Sequence, residues 1–128
     1  MGAPTILIVE ADPSIRELFV DLLQLEFYEV RFSDNFPSIL DDATKTRPNL
    51  LILELLPETL SHGLDVIEEL RQRIDTASLP IIVSATNIHL LEQQSDLLRS
   101  FGCGVLIKPF EIDYLINVVR QQLNQANA

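Results

Sequence analysis

The sequence predicts an α/β fold, an open, doubly wound sheet of five parallel strands with five helices distributed over both faces, and three observations predict it. Short apolar runs recur at 6–9, 50–53, 81–83 and 105–107. Apolar runs this short and unbroken suit strands buried on both faces, which is the habit of parallel sheets. Amphipathic stretches lie between them, each connection long enough for the right-handed crossover that parallel neighbours need.

Taken in order, the first strand is Ile6 to Val9. Asp12 then supplies an N-cap and Pro13 a favourable first residue for a helix. Its apolar stripe, Ile15, Leu18, Phe19, Leu22 and Leu23, follows the i, i+3, i+4, i+7, i+8 spacing of one helical face. Tyr28 to Phe32 reads as a weaker second strand and Pro37 to Thr46 as the second helix. Leu50 to Leu53 is the third strand, Leu64 to Ile74 the third helix, Ile81 to Val83 the fourth strand and Ile88 to Phe101 the fourth helix. Val105 to Ile107 closes the sheet, and Ile112, Leu115, Ile116, Val119 and Leu123 repeat the helical stripe. The result is (βα)5 in one domain, 1–128.

Composition narrows the function. With 47% hydrophobic residues, 128 residues suffice for one buried core. Nine Lys and Arg against nineteen Asp and Glu give a charge of -10, and the cations are scattered, so this domain alone is a poor ligand for nucleic acid or anionic membrane. The single cysteine, Cys103, excludes an internal disulfide and reads as a small buried hydrophobe. No apolar run approaches a membrane span and no cationic leader opens the chain, so the expected location is cytoplasmic. Ile6 stands where a myristoylation signal needs Ser or Thr. His62 and His89 have no neighbouring His or Cys to make a transition-metal site. Gly102-Cys103-Gly104 precedes a strand instead of opening a helix, so it reads as a turn and not as a dinucleotide loop.

In doubly wound sheets, chemistry sits beyond the carboxyl ends of the strands. Those ends carry Glu10, Ala11 and Asp12 after the first strand, Glu54 after the third, Ser84 and Ala85 after the fourth, and Lys108 and Pro109 after the fifth. Carboxylates able to hold a divalent cation, a hydroxyl and an ammonium around one shallow pocket suit a phosphoryl group.

The runs Ile6-Leu7-Ile8-Val9-Glu10-Ala11-Asp12-Pro13, Pro48-Asn49-Leu50-Leu51-Ile52-Leu53-Glu54, Leu79-Pro80-Ile81-Ile82-Val83-Ser84-Ala85 and Lys108-Pro109-Phe110 appear in this order over essentially the whole chain. In them the sequence resembles a receiver domain, the flavodoxin-like, phosphorylatable module of bacterial response regulators. The resemblance implies Glu54 at the phosphoacceptor position, Ser84 and Lys108 as the phosphate-contacting hydroxyl and ammonium, and Mg²⁺ as the family's cofactor. It also exposes departures. Glu54 replaces the family's Asp and carries its carboxylate about 1.5 Å farther, one carbon-carbon bond. Ala11 stands where the second acid would ligate metal, leaving Glu10, with Asp12 as a possible helper, as a weak metal set. The loop Glu54 to Gly63 is one residue shorter before Pro57 and two longer after it than the family's D-x-x-M-P-x-x-D-G. Val105 replaces the fifth-strand aromatic that swings inward during switching.

In-line attack tolerates a misplaced nucleophile poorly, and Mg²⁺ loses a hard oxygen ligand at Ala11. The sequence therefore favours a degenerate receiver. It is a non-enzymatic, phosphorylation-independent interaction module without a cofactor, in which Glu54 pairs with Lys108. The alternative is a working Mg²⁺-dependent phosphoacceptor in a phosphorelay. A small-ligand binder on the same fold lacks a phosphate-cradling glycine loop. The resemblance implies a protein partner or attached output domain on the face of the fourth helix, fifth strand and fifth helix, and it leaves homodimerisation open. The polar end, Asn124 to Ala128, is what a domain cut from a longer regulator would show.

Overall fold

The computed structural model describes residues 2–34 and 36–126. Five strands, β1 (Thr5–Val9), β2 (Glu29–Phe32), β3 (Leu50–Glu54), β4 (Ile81–Ala85) and β5 (Gly104–Ile107), form one parallel sheet in the order β2-β1-β3-β4-β5. The helices are α1 (Pro13–Leu25), α2 (Phe36–Thr46), α3 (Leu60–Gln72), α4 (Ile88–Gln93), α5 (Ser95–Ser100) and α6 (Ile112–Ala126), with a 3₁₀ turn at Pro57–Thr59. None of them, among the described residues, is long and apolar enough to cross a membrane.

Strand alternation divides the core in two. Leu7, Leu51, Leu53, Ile81 and Val83 pack with residues of α2, α3, α4 and α5 on one face. Ile6, Ile8, Leu50, Ile52 and Ile82 pack with Phe19 and Leu23 of α1 and Leu115, Val119 and Leu123 of α6 on the other. Because successive residues of a strand point to opposite faces, a strand covered on both sides has no solvent-facing position to offer. Accordingly β3 is buried throughout.

The first helix starts as its sequence predicts, with the Asp12 side chain accepting from the Ser14 backbone N–H at 2.8 Å. It ends in a paired cap in which Tyr28 N–H donates to the Leu23 carbonyl and Phe27 N–H to that of Gln24. This cap needs a left-handed residue at Phe27, which has φ of 65°. Gly102 fills the equivalent position after α5 with φ of 71°, as a turn residue should. At Gly104 a Cβ would lie 2.7 Å from the terminal amide of Gln122 on α6, a contact that the long Gln122 side chain can relieve by moving. Burial pushes the Cys103 thiol between them up to about 11, which keeps it protonated and unreactive.

Two helices depart from the sequence reading. The expected single helix 88–101 is interrupted at Gln94, whose ψ of 7° leaves the helical range, so the described residues form six α-helices instead of five. The Leu90, Leu91 and Leu98 stripe runs across the interruption, which explains why periodicity alone did not reveal it. The third helix begins at Leu60 instead of Leu64, because the 3₁₀ turn at Pro57 winds straight into it and buries Gly63 inside the helix. It ends at Gln72 and not Ile74. The Leu70 carbonyl accepts from the Thr76 hydroxyl at 2.7 Å, and Arg71 donates to the carbonyls of Phe101, Leu79 and Ala77. Ile74 is left fully exposed.

Truncating Ile52, buried in mid-sheet, is expected to cost about 2–5 kcal/mol of stability. Ile74→Ala should stay within about 0.5 kcal/mol. Urea melts of the two variants check the contrast.

Candidate functional site

Glu10, Glu54, Ser84 and Lys108 each stand two residues beyond Ile8, Ile52, Ile82 and Leu106, all members of the core that faces α1 and α6. Alternate residues share a face, so the same alternation that buries the aliphatics brings four polar groups to one side of the sheet at its carboxyl end. Glu54 lies opposite Ser84 in the β3–β4 register, and Ser84 opposite Leu106 in β4–β5. Lys108 starts one row farther out, and its backbone N–H donates to the Ala85 carbonyl at 2.9 Å. From there the long side chain reaches back across the sheet.

The four groups are removed from water: relative exposure is 1% for Glu10, 8% for Glu54, 0% for Ser84 and 7% for Lys108. The Lys108 ammonium donates to Glu10 Oε1 at 2.8 Å and also to Glu54 Oε2. The other two carboxylate oxygens are held by the backbone. Glu10 Oε2 accepts from the Asp12 N–H and Glu54 Oε1 from the Ala11 N–H, each at 3.1 Å. Every carboxylate oxygen thus has a donor, which is what buried charge requires if it is to persist.

Two carboxylates around one ammonium leave a formal charge of -1, and the two acids divide the strain. Burial pushes the Glu10 carboxyl above its ordinary 4.5, against the pull of Lys108. Burial would raise Glu54 too, but hydrogen bonds from Lys108 and the Ala11 N–H outweigh it and hold that carboxyl below 4.5. Burial likewise opposes the charge on Lys108, yet the two carboxylates win and lift it above 10.5.

The set does not fit a hard divalent cation. Ala11 offers no ligand, both oxygens of Glu10 and of Glu54 are engaged, and Asp12 spends Oδ1 on the α1 cap from an exposed position. Among the described residues no three His, Cys, Asp or Glu are grouped to hold a metal. The Lys108 ammonium supplies the positive charge that the carboxylates need.

One sequence-derived residue stays apart from the network. Ser84 Oγ is fully buried without a hydrogen bond among the described residues, and so is Thr59 Oγ1. An unpaired buried hydroxyl costs about 1–3 kcal/mol, so Ser84 and Thr59 are the polar groups beside the acids with a hydrogen bond left to make. Arg16 belongs to the site without any sequence signal pointing to it. Its Nε donates to the Glu10 carbonyl, its guanidinium lies 5.2 Å from the Phe32 ring centroid, and Nη1 is 3.7 Å from Asp34. With Glu54, Leu56 and Thr59 it lines a cavity of 210 Å³ beside the acids. The altered loop thus forms the mouth of the pocket through Leu56 and Thr59. A larger cleft of 530 Å³, between Arg47, Asn49 and Asp75, opens at the opposite end of the sheet and touches none of these groups.

Comparison with known proteins agrees with this geometry. The response regulator receiver domain family matches residues 6–120. The polar-differentiation response regulator DivK of Brucella anthropi is 28% identical over 124 residues, covering 95% of this chain and 98% of DivK. The DNA-binding dual master transcriptional regulator RpaA of Synechocystis sp. is 29% identical over 128 residues, but this chain spans only 51% of it. Among solved structures, the chemotaxis response regulator CheY4 of Vibrio cholerae shares the fold at a TM-score of 0.79 and 24% identity, over 94% of this chain and 98% of its own. With the family match running over residues 6–120, from the first strand into the last helix, the chain belongs to the response regulator receiver domain family, the receivers of two-component signalling.

Proposed function

We propose that this receiver is a phosphorylation-independent interaction module, and the observation that supports the reading is the Lys108 ammonium bridging Glu54 and Glu10. In a receiver that accepts phosphate, the acceptor carboxylate must be free to attack and the lysine free to meet the incoming oxygens. Here each holds the other. The Glu54 oxygen that is not on Lys108 is tied to the Ala11 N–H, so neither is positioned as an unencumbered nucleophile. The site then takes no Mg²⁺ and runs no phosphotransfer.

Signalling output in this reading passes through protein contact on the face built by α4, α5, β5 and α6. Edge strand β5 presents Ile107 beside the partly exposed Tyr114, and α4 and α5 leave Ile88 and Leu97 partly exposed. Val105 gives that face no aromatic ring to relocate, and the Tyr114 hydroxyl donates to the Val105 carbonyl at 3.2 Å. The occupant is a separate protein or an output domain, of the kind that RpaA's name assigns to that longer relative.

The second reading, a working phosphoacceptor, draws on the Ser84 hydroxyl, which a phosphoryl oxygen would satisfy. Incubation with acetyl phosphate and Mg²⁺, followed by intact-mass spectrometry, separates the two. No adduct is expected; a stoichiometric phosphoryl adduct that disappears in Glu54→Gln would establish the second reading. Calorimetry should likewise show no tight Mg²⁺ site.

The ion cluster makes its own prediction. Lys108→Ala strands two buried carboxylates and should cost about 3–5 kcal/mol, whereas adding Glu54→Gln to it should recover part of that loss. A double-mutant cycle by urea melts reads the coupling, and a value within error of zero refutes the pairing.

The acids also differ in pH dependence. Glu54 is lowered in the folded state, so its contribution is present above 4.5 and lost as pH falls through the folded value. Glu10 is raised, so the folded state binds the extra proton and its contribution fades as pH rises through the folded value. Glu10→Gln should therefore gain on the native protein between about pH 4 and about pH 7, while Glu54→Gln should lose ground over the same interval. Stability measured at both pH values checks the opposite signs.

A further inference from the structure

The geometry points to a ligand site at the amino end of the sheet, where a cleft binds a small zwitterion of the amino-acid or dipeptide type, its carboxylate on Arg47 and its ammonium on Asp75. The inference is independent of the proposed function, because no residue of the acid cluster borders this cleft.

The cleft measures 530 Å³, a volume in the range of small-molecule sites. One wall is the end of α2 and its turn into β3, which carry Arg47 and Asn49. The other is the loop from α3 into β4, which carries Asp75 and Ser78. Ala43, Pro48, Leu79 and Pro80 give the cleft an apolar lining.

Both walls are held by bonds that leave their outer polar groups free. On the loop side, Arg71 donates to the carbonyls of Ala77 and Leu79 at 3.3 and 2.6 Å. The buried Thr76 hydroxyl donates to the Leu70 carbonyl at 2.7 Å, and the Leu79 N–H donates to the Thr76 carbonyl at 3.1 Å. On the facing side, Asn49 is pinned twice to Thr5. Its N–H donates to the Thr5 carbonyl at 2.7 Å, and its Oδ1 accepts from the Thr5 N–H at 2.8 Å. With Oδ1 committed to a donor, the other end of that amide is an NH₂ group, which bonds to none of the described residues. A site fixed in advance loses little entropy when a ligand arrives.

Arg47 occupies its place at a cost. Its φ of 49° is left-handed, and it precedes Pro48, which restricts its backbone further. The Arg47 N–H donates to the Ala43 carbonyl at 3.1 Å and closes the end of α2, a task in which the guanidinium takes no part. Arg47 and Asp75 border one cleft, yet neither has an ion pair with the other or with any described residue.

The distribution of donors and acceptors selects the ligand class. The α2 wall offers only donors, the Arg47 guanidinium and the Asn49 NH₂, and these suit a carboxylate. The loop wall offers acceptors, the Asp75 carboxylate and the Ser78 hydroxyl, and these suit an ammonium. A simple anion would meet Asp75 and be repelled by the chain's charge of -10, and a simple cation would meet Arg47. A zwitterion answers both walls and carries no net charge. The prolines, Leu79 and Ala43 then take up an apolar side chain.

Titration of the isotope-labelled protein with phenylalanine and with leucylphenylalanine, followed by backbone amide NMR shifts, tests the inference. Saturable shifts are expected, centred on 43–49 and 75–80. N-acetyl-leucylphenylalanine and leucylphenylalaninamide each lack one charge and should bind about tenfold more weakly or worse. Arg47→Asn keeps a residue that tolerates the left-handed turn and should erase the preference for the free carboxylate over the amide. Asp75→Asn should erase the preference for the free ammonium over the acetylated form. Both positions are exposed, so the circular dichroism spectrum should stay unchanged. No saturable shift with phenylalanine or the dipeptide overturns the inference. So do shifts centred on the acid cluster, a blocked dipeptide that binds as tightly as the free one, or preferences that survive both substitutions.

Discussion

A lysine ammonium buried between two glutamates is the constraint around which the carboxyl end of this sheet is organised. Removing three ions from water costs several kcal/mol each unless every one is paired and hydrogen-bonded. Here the cost is met by geometry that the whole sheet must maintain. Glu10 and Glu54 come from neighbouring strands, Lys108 arrives from the far side of β4, and the backbone N–H groups of Ala11 and Asp12 complete the shell. A shift of any of the three strand ends would leave an ion without a partner, so the cluster ties the β1, β3 and β5 tips into one unit.

Two-residue alternation is what delivers the groups. Ile8, Ile52, Ile82 and Leu106 anchor their strands against α1 and α6, and one more step of the same alternation yields Glu10, Glu54, Ser84 and Lys108. That is also why so much was legible in the sequence. Unbroken apolar runs marked the strands, and the residue types just past them marked the pocket. The Asp12 cap and the stripe on α1 were readable for the same reason, since both are local patterns with a single structural outcome.

Less was readable wherever the outcome depends on a distant contact. Glu10 was assigned as a metal candidate from its place after β1, yet its nearest cation is Lys108, 98 residues away, and nothing in the local sequence announces that distance being closed. Arg16 carries no local signal of its role, because its reach to the Glu10 carbonyl and the Phe32 ring follows from how α1 lies on β2. The interruption at Gln94 is invisible to periodicity because the leucines on both sides remain in phase. The 3₁₀ turn at Pro57 that runs directly into α3 carries no apolar periodicity of its own, so the start of that helix at Leu60 was not legible from the stripe.

The arrangement of the two faces gives the proposed function a physical basis. A receiver that switches needs two arrangements of nearly equal free energy, and a ligand can move such an equilibrium only by its differential affinity for them. In this chain the acceptor carboxylate and the lysine already satisfy one another, so releasing Lys108 toward a phosphoryl group would first strand Glu10 and Glu54 as buried, uncompensated charges. That penalty falls on one state alone and biases the pocket heavily against the other. The unpaired Ser84 hydroxyl does not offset it, because a single neutral hydrogen bond contributes about 1 kcal/mol, less than the cost of breaking a buried ion pair. In the proposed reading the module has one surface to offer instead of two, and its occupancy is governed by the concentration of what binds that surface.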